Sequence, residues 1–308
     1  MKAQFIKSPL AAVKNAIKPI ILVTAFVATG LAQAQQDSYL DIVDEFLNES
    51  GAELQVNMLP ETLIGRIEQQ IINSNAFDMN DPDQAKFANK IIQEFSEMIT
   101  AHNIKRNLVN SLEDSVLIEE LISSIAFYKT PAGQEVVKYE TESVDILEDP
   151  EFISFMQQFE NMPKDPVRLD QAKKIVELYK INEFAVDANV DSEIAAAMGM
   201  IDNMSEELLA EDNFGQSMQM YIDHMENQRE SLYPQVVTLF IAEQYYTFRE
   251  MDIEDVVEYS KYLESPDAFS VNTALLTGIN NFSNYVSYTV GSVIAAEMSR
   301  FEVSSNDL

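Results

Sequence analysis

Few side chains in this 308-residue sequence could do chemistry, and their types narrow the choice quickly. There is no cysteine, which removes thiol catalysis and thiolate metal sites. The two histidines, His102 and His224, belong to no H-x-x-x-H or H-E-x-x-H pattern, so a catalytic zinc held by several imidazoles is excluded. A serine nucleophile would need one of them beside an orienting acid, and no G-x-S-x-G turn announces it. Carboxylates are everywhere, 51 Asp and Glu against 20 Lys and Arg, so a carboxylate pair cannot be read as a glycosidase signal. No glycine loop for phosphate and no D-x-[DN]-x-[DN]-G calcium loop is present. None of these patterns implies a cofactor.

One cluster carries a sharper option. Met198, Met200, Met204, Met218, Met220, His224 and Met225 fall on two expected helical segments joined near Glu211 to Asn213, and thioether and imidazole ligands suit Cu(I). Helix geometry trims the set, because Met198 and Met200, like Met218 and Met220, are two apart and point to different sides. Met200 with Met204, and Met220 with His224, share faces, and these four form the candidate metal set. The competing reading is flexible methionines filling an irregular helix–helix core. His102 continues the apolar stripe of Phe95, Met98 and Ile99, where a lone histidine reads as a core or rim residue.

The elements that would position these groups begin after a leader. Lys2, Lys7, Lys14 and Lys18 precede the apolar run Pro19 to Ala32, and Ala32-Gln33-Ala34 has the small-x-small form that signal peptidases read. Residues 1–34 are therefore expected to be a signal peptide cleaved after Ala34, the run being shorter than the ~20 residues of a membrane span. An exported, periplasmic protein follows, with no stable membrane insertion once the leader is gone. Lacking cysteine, it is expected to carry neither a lipid anchor nor a disulfide. Its formal charge of -31 becomes more negative when the leader lysines leave. Such a surface repels phosphate backbones and anionic headgroups, so nucleic acid and membrane-surface partners are rejected. The acids interleave with apolar residues at helical spacing and read as solvated helix faces.

Glycine and proline are scarce and no sustained apolar-polar alternation occurs, which is an all-α pattern. Leu40, Val43, Phe46 and Leu47 share one face of a first helix, stopped at Ser50-Gly51 by the left-handed conformation that glycine permits. A second helical stretch from Ala52 is expected to be interrupted at Pro60. Asp81-Pro82-Asp83-Gln84 reads as a helix start with Asp81 as N-cap, ahead of a buried stripe of Phe87, Ile91, Phe95, Met98 and Ile99.

One phrase then occurs twice, IEELISSIAFYKTP from Ile118 to Pro131 and IEDVVEYSKYLESP from Ile253 to Pro266. Each predicts a buried helix, a tight turn and a second helix capped by Thr130-Pro131 or Ser265-Pro266. Leu121, Ile125 and Tyr128 lie along one side, with Ile118, Ile122 and Phe127 close by, so little of the first helix can face water. Phe127 and Tyr262 stand at equivalent places and are expected to be buried. Between the copies, Pro163 and Pro166 forbid a continuous helix. The expected fold is all-α, with two tandem related helical-bundle units at 35–160 and 169–308 and a Pro-containing linker at 161–168. The last helix, from Pro266 towards Arg300, would run ~50 Å, with Gly278 and Gly291 as places to bend. Its many Asn and Ser residues exclude a transmembrane span.

The stretch Phe127-Tyr128-Lys129-Thr130-Pro131-Ala132-Gly133-Gln134, preceded by Glu119-Glu120-Leu121 and further upstream by Leu47 to Glu53, resembles the family catalogued as domain of unknown function 2059. That resemblance implies an exported, all-helical bacterial domain and no activity. The second copy departs from it, because Tyr262-Leu263-Glu264 replaces the aromatic pair and its basic residue and Ala268 stands for the glycine. Capping and close packing account for Thr130, Pro131 and Gly133. They do not require Lys129 and Gln134, which are the candidate recognition residues. The reading with most support is a non-catalytic interaction or scaffold module with a periplasmic protein partner. The alternatives are an envelope enzyme using carboxylates without metal, and copper binding through Met200, Met204, Met220 and His224.

Overall fold

A computed structural model describes residues 39–306, apart from 74–79, 144–145, 147–148, 207–208 and 210–213. The expected leader and the joint at Glu211 to Asn213 lie outside the described residues. The elements are all helical: α1 (39–49), α2 (Ala52–Asn73), α3 (Pro82–Met98), α4 (Ala101–Ser115), α5 (Ile118–Tyr128) and α6 (Pro131–Glu142) precede α7 (Pro150–Gln158), α8 (Pro166–Tyr179) and α9 (Ile181–Asn203). Then come α10 (Phe214–Thr247), α11 (Ile253–Leu263) and α12 (Pro266–Asn306). From Ile42 onward the chain forms one compact unit. Among the described residues no helix is long and apolar enough to cross a membrane.

Helix starts are set by side chains that accept from the first free N–H groups. Asp81 accepts from Gln84, Thr100 from Asn103, Thr130 from Gly133, Asp149 from Glu151, Asp165 from Arg168 and Ser265 from Ala268, at 2.8 to 3.2 Å. All but Thr100 are followed by proline, which has no N–H to leave unpaired. Each such cap contributes about 1 kcal/mol. Gly51, at φ 75°, stops α1 in the left-handed region as expected, and Lys180, at φ 50°, makes the same kind of turn between α8 and α9.

Three sequence expectations need correction. Pro60 lies inside a continuous α2. It removes one backbone bond, which the burial of Val56 and of Leu59, Leu63 and Ile64 around it against α3, α4 and α12 outweighs. His102 is exposed, because Thr100 ends the α3 stripe and starts a new helix with its own phase. Ile122 is also exposed, so α5 turns one side to water.

Helix α12 organises the packing. It runs parallel to α9, shown by hydrogen bonds from Ser192 to Ser283 at 2.8 Å and from Asn203 to Ser292 at 2.9 Å. It runs antiparallel to α4, where the Ser111 hydroxyl donates to the Ala274 carbonyl at 2.7 Å and Gly278 rests on Asn107 and Leu108. Gly278 and Gly291 are thus contact points at helix crossings. A Cβ on Gly291 would lie 2.0 Å from the Ala196 carbonyl oxygen, and one on Gly199 would lie 2.1 Å from that of Tyr288. Helix propensity favours alanine over glycine by about 1 kcal/mol, but a clash with backbone cannot be relieved by a rotamer change. Gly291→Ala is therefore expected to destabilise by about 1 to 3 kcal/mol in a urea titration; a neutral or stabilising result would show that the crossing is looser than described.

Candidate functional site

The repeated phrase forms two helical hairpins, α5–α6 and α11–α12, with matching turns. Lys129 and Glu264 close the first helix of each by donating their N–H groups back into its last turn, and Thr130 and Ser265 cap the next. The hairpins meet through their own equivalent residues. Phe127 stacks on Tyr262 with ring centroids 4.0 Å apart and planes 2° from parallel. Tyr259 stacks beside Phe127 at 5.9 Å, and Tyr128 sets its edge on Tyr262 at 5.6 Å. Phe46 of α1 reaches Tyr128, while Tyr179 of α8 and Phe248, just past the end of α10, reach Tyr259. Phe127 is buried as expected; Tyr262 is only partly buried, although its hydroxyl is enclosed. That hydroxyl and the buried Ser124 Oγ lie near each other, and Tyr262 near the Tyr128 hydroxyl, without reaching full hydrogen-bonding geometry.

A carboxyl group sits at the edge of this aromatic cluster. Glu140 of α6 is partly exposed as a residue, and its carboxyl lies deep enough among the tyrosines for burial to dominate its ionisation. The Tyr259 hydroxyl donates to Glu140 Oε1 at 2.7 Å, and the Tyr179 and Tyr259 hydroxyls hydrogen-bond each other. Among the described residues no ion pair includes Glu140. Burial raises its pKa to about 7, with the Tyr259 hydrogen bond acting in the opposite direction. Burial, reinforced by Glu140, lifts Tyr179 and Tyr259 well above the usual phenol range, so both stay neutral. The arrangement can hold or release one proton. It opens into neither of two described cavities, one of about 400 Å³ beside Tyr139, Asp149, Tyr246 and Arg249, the other of about 130 Å³ between Lys180, Phe184 and Phe269. The sequence did carry a signal for Glu140: with Gly133 and Val136 it falls on the buried i, i+3, i+7 face of α6.

The expected recognition residues have internal partners. Gln134 Nε2 donates to the Tyr128 carbonyl at 2.6 Å, satisfying an acceptor that the end of α5 leaves free. Lys129 Nζ lies 2.5 Å from Glu45 and 3.9 Å from Glu49 on α1, and the Glu45 hydrogen bond holds the ammonium above its usual pKa. Glu264, at the equivalent place in the second hairpin, pairs with Lys174 of α8 at 2.8 Å. The tie recurs with its charges exchanged, which accounts for the change from Lys129 to Glu264 between the copies. Thr130, Pro131, Ser265 and Pro266 cap as expected, and Gly133 allows close approach, since a Cβ there would lie 2.3 Å from the Phe127 carbonyl oxygen.

The four candidate copper ligands do not converge. Met200 and Met204 pack with Ala295, Leu209 and Phe214, as filling methionines do, whereas Met220 and His224 are exposed on α10. Tyr221 reaches Glu193 and Arg229 reaches Asp187 and Asp191, so the antiparallel register puts His224 about level with Asp191. Met204 lies about 13 residues further along, or ~20 Å. Among the described residues no group of His, Asp and Glu is placed to hold a metal ion.

Comparison with family models, curated proteins and solved structures finds no match to this chain.

Two outcomes follow from the geometry. Lys129→Glu sets a third acid against Glu45 and Glu49 and is expected to lower the melting temperature, while adding Glu45→Lys restores it by copying the polarity of the second hairpin; failure of the double variant to recover would show that the tie does not matter. Glu140 takes its proton at a higher pH when folded than the 4.5 of the free carboxyl, so the folded state binds more protons between pH 4.5 and about 7. Stability then falls as pH rises through that window, by roughly 2 to 3 kcal/mol, and stays at the lower level above it. Glu243 on α10, also raised to about 7 by burial, adds a similar fall. Glu140→Gln should therefore lose about half of the decline seen in urea titrations between pH 4.5 and 8, and an unchanged slope would place the Glu140 head in water.

Proposed function

We propose that the chain is an exported periplasmic protein acting as a non-catalytic interaction or scaffold module, built from two tandem copies of one helical unit. The stack of Phe127 on Tyr262 carries this reading. Equivalent aromatic residues of the two phrases join the hairpins, and Thr130-Pro131 and Ser265-Pro266 cap their second helices. Tandem units that cannot bury their apolar faces alone combine into a larger body with more surface for a partner. The likeness of Phe127 to Gln134 to domain of unknown function 2059 fits this reading, as does the leader expected at 1–34. A chain with 51 acids and 20 bases favours a basic partner, met first through its long-range field.

The carboxylate enzyme has one observation in its favour, a carboxyl held near neutrality at Glu140, which is a common state of a general acid or base. Neither of the two described cavities is lined by Glu140, Tyr259 or Tyr179, so neither brings a substrate to that carboxyl. The interaction module is tested by expressing the full chain and cross-linking it in the periplasm. The exported protein should begin at Gln35 by mass spectrometry and yield a basic cross-linked partner lost in ~0.5 M salt, where screening shortens electrostatic reach to a few ångströms. Retention of residues 1–34, or no partner above background, would sink the proposal.

A further inference from the structure

We propose that Glu140 is a proton-operated latch between the two hairpins: neutral, it ties α6 to α11 and α8 through the Tyr259 and Tyr179 hydroxyls; ionised, it draws water into that contact and loosens α6 from α11. The hydrogen bonds span three helices from distant parts of the chain, with Glu140 119 residues from Tyr259 and Tyr259 80 from Tyr179. The other groups facing the contact supply no positive charge. Tyr128 of α5, Tyr179 of α8 and Tyr259 and Tyr262 of α11 remain neutral, and the acid felt at Tyr262 is Asp267 of α12, which repels a second anion. The nearby lysines have acids of their own: Lys129 has Glu45, Lys138 has Glu135 and Lys174 has Glu264.

A neutral carboxyl fits such a place, but a carboxylate does not. Two charged oxygens seek several donors, and Tyr259 gives one. Water is the available supplement. The enclosed Ser124 Oγ and Tyr262 Oη, which lie close to each other without reaching full hydrogen-bonding geometry, give entering water further sites in the same cluster. The hairpins then part at the polar edge of their contact, while the Phe127–Tyr262 stack holds its apolar centre. This device goes beyond the interaction reading and does not depend on which partner is bound.

The experiment is hydrogen exchange of the mature full chain at pH 5.5 and pH 8, corrected for intrinsic exchange rates, with α9 as internal reference. Amides of α6 and α11 are expected to lose tenfold or more protection at the higher pH. Glu140→Gln, which keeps an acceptor for Tyr259 and cannot ionise, is expected to protect them equally at both. Carbon-detected NMR of the Glu140 carboxyl gives a second readout that needs no variant. Its titration midpoint should lie near neutrality, and Tyr259→Phe should move it upward by removing the hydrogen bond that favours the anion. Equal protection at both pH values in the wild type, an undiminished loss in Glu140→Gln, or a midpoint below pH 5 would each overturn the latch. None of these results bears on whether a periplasmic partner exists.

Discussion

The structure depends on the burial of one aromatic face against its own repeat. Each hairpin presents a ring near the end of its first helix, Phe127 or Tyr262, and each ring lies against the other hairpin. Stacking one on the other buries Phe127, covers part of Tyr262 and adds about 0.5 to 1.5 kcal/mol beyond their area. The same contact sets where the rest must go. Tyr259 and Tyr128 fill the flanks of the stack, Phe46 closes it from α1, and Phe248 and Tyr179 close it from the other half of the chain.

Around that contact the packing is governed by how closely backbones can approach. Helices α9 and α12 cross where Gly199 and Gly291 leave no room for a side chain, and their seam is polar, with Ser192, Ser283, Asn203 and Ser292 bonded across it. Burial of large apolar groups holds the hairpins, whereas close approach and hydrogen bonds hold this pair. Arg229 fastens α10 to the same layer through Asp187 and Asp191, and Arg168 caps the end of α10 by donating to the Phe248 and Met251 carbonyls.

Much of the helical plan was legible because caps and stops are local. Asp81, Thr130 and Ser265 could be read as N-caps, and Gly51 as a left-handed stop, since each acts on residues within four positions. Contacts between distant segments were not legible. Lys129 and Gln134 looked free because their partners, Glu45 and the Tyr128 carbonyl, become visible only when α1 is placed and the α5–α6 turn is drawn atom by atom. His102 was misread because Thr100 restarted the helical phase, which a stripe of apolar residues across positions 95 to 99 conceals. Glu140 lay in plain view on the buried face of α6, but in a chain so rich in acids one more Glu is uninformative until its neighbours prove to be tyrosines.

The shortage of positive charge gives that carboxyl its character. With 20 Lys and Arg against 51 acids, cations sit where helices from different parts of the chain need a tie: Lys105 bridges Asp44 and Glu53, Lys129 and Lys174 anchor the hairpin turns, and Arg229 clamps α9. Each of these cations already faces acid and lies at least partly in water, where an ion pair is inexpensive to form and weak. An acid drawn into the aromatic contact has no cation to accompany it. Desolvation without a counter-charge favours the neutral form, and the tyrosine hydroxyls, neutral themselves, can soften that preference without reversing it. The acidity that keeps the outer surface charged thus leaves this carboxyl between the hairpins dependent on a proton, beside the aromatic stack that joins them.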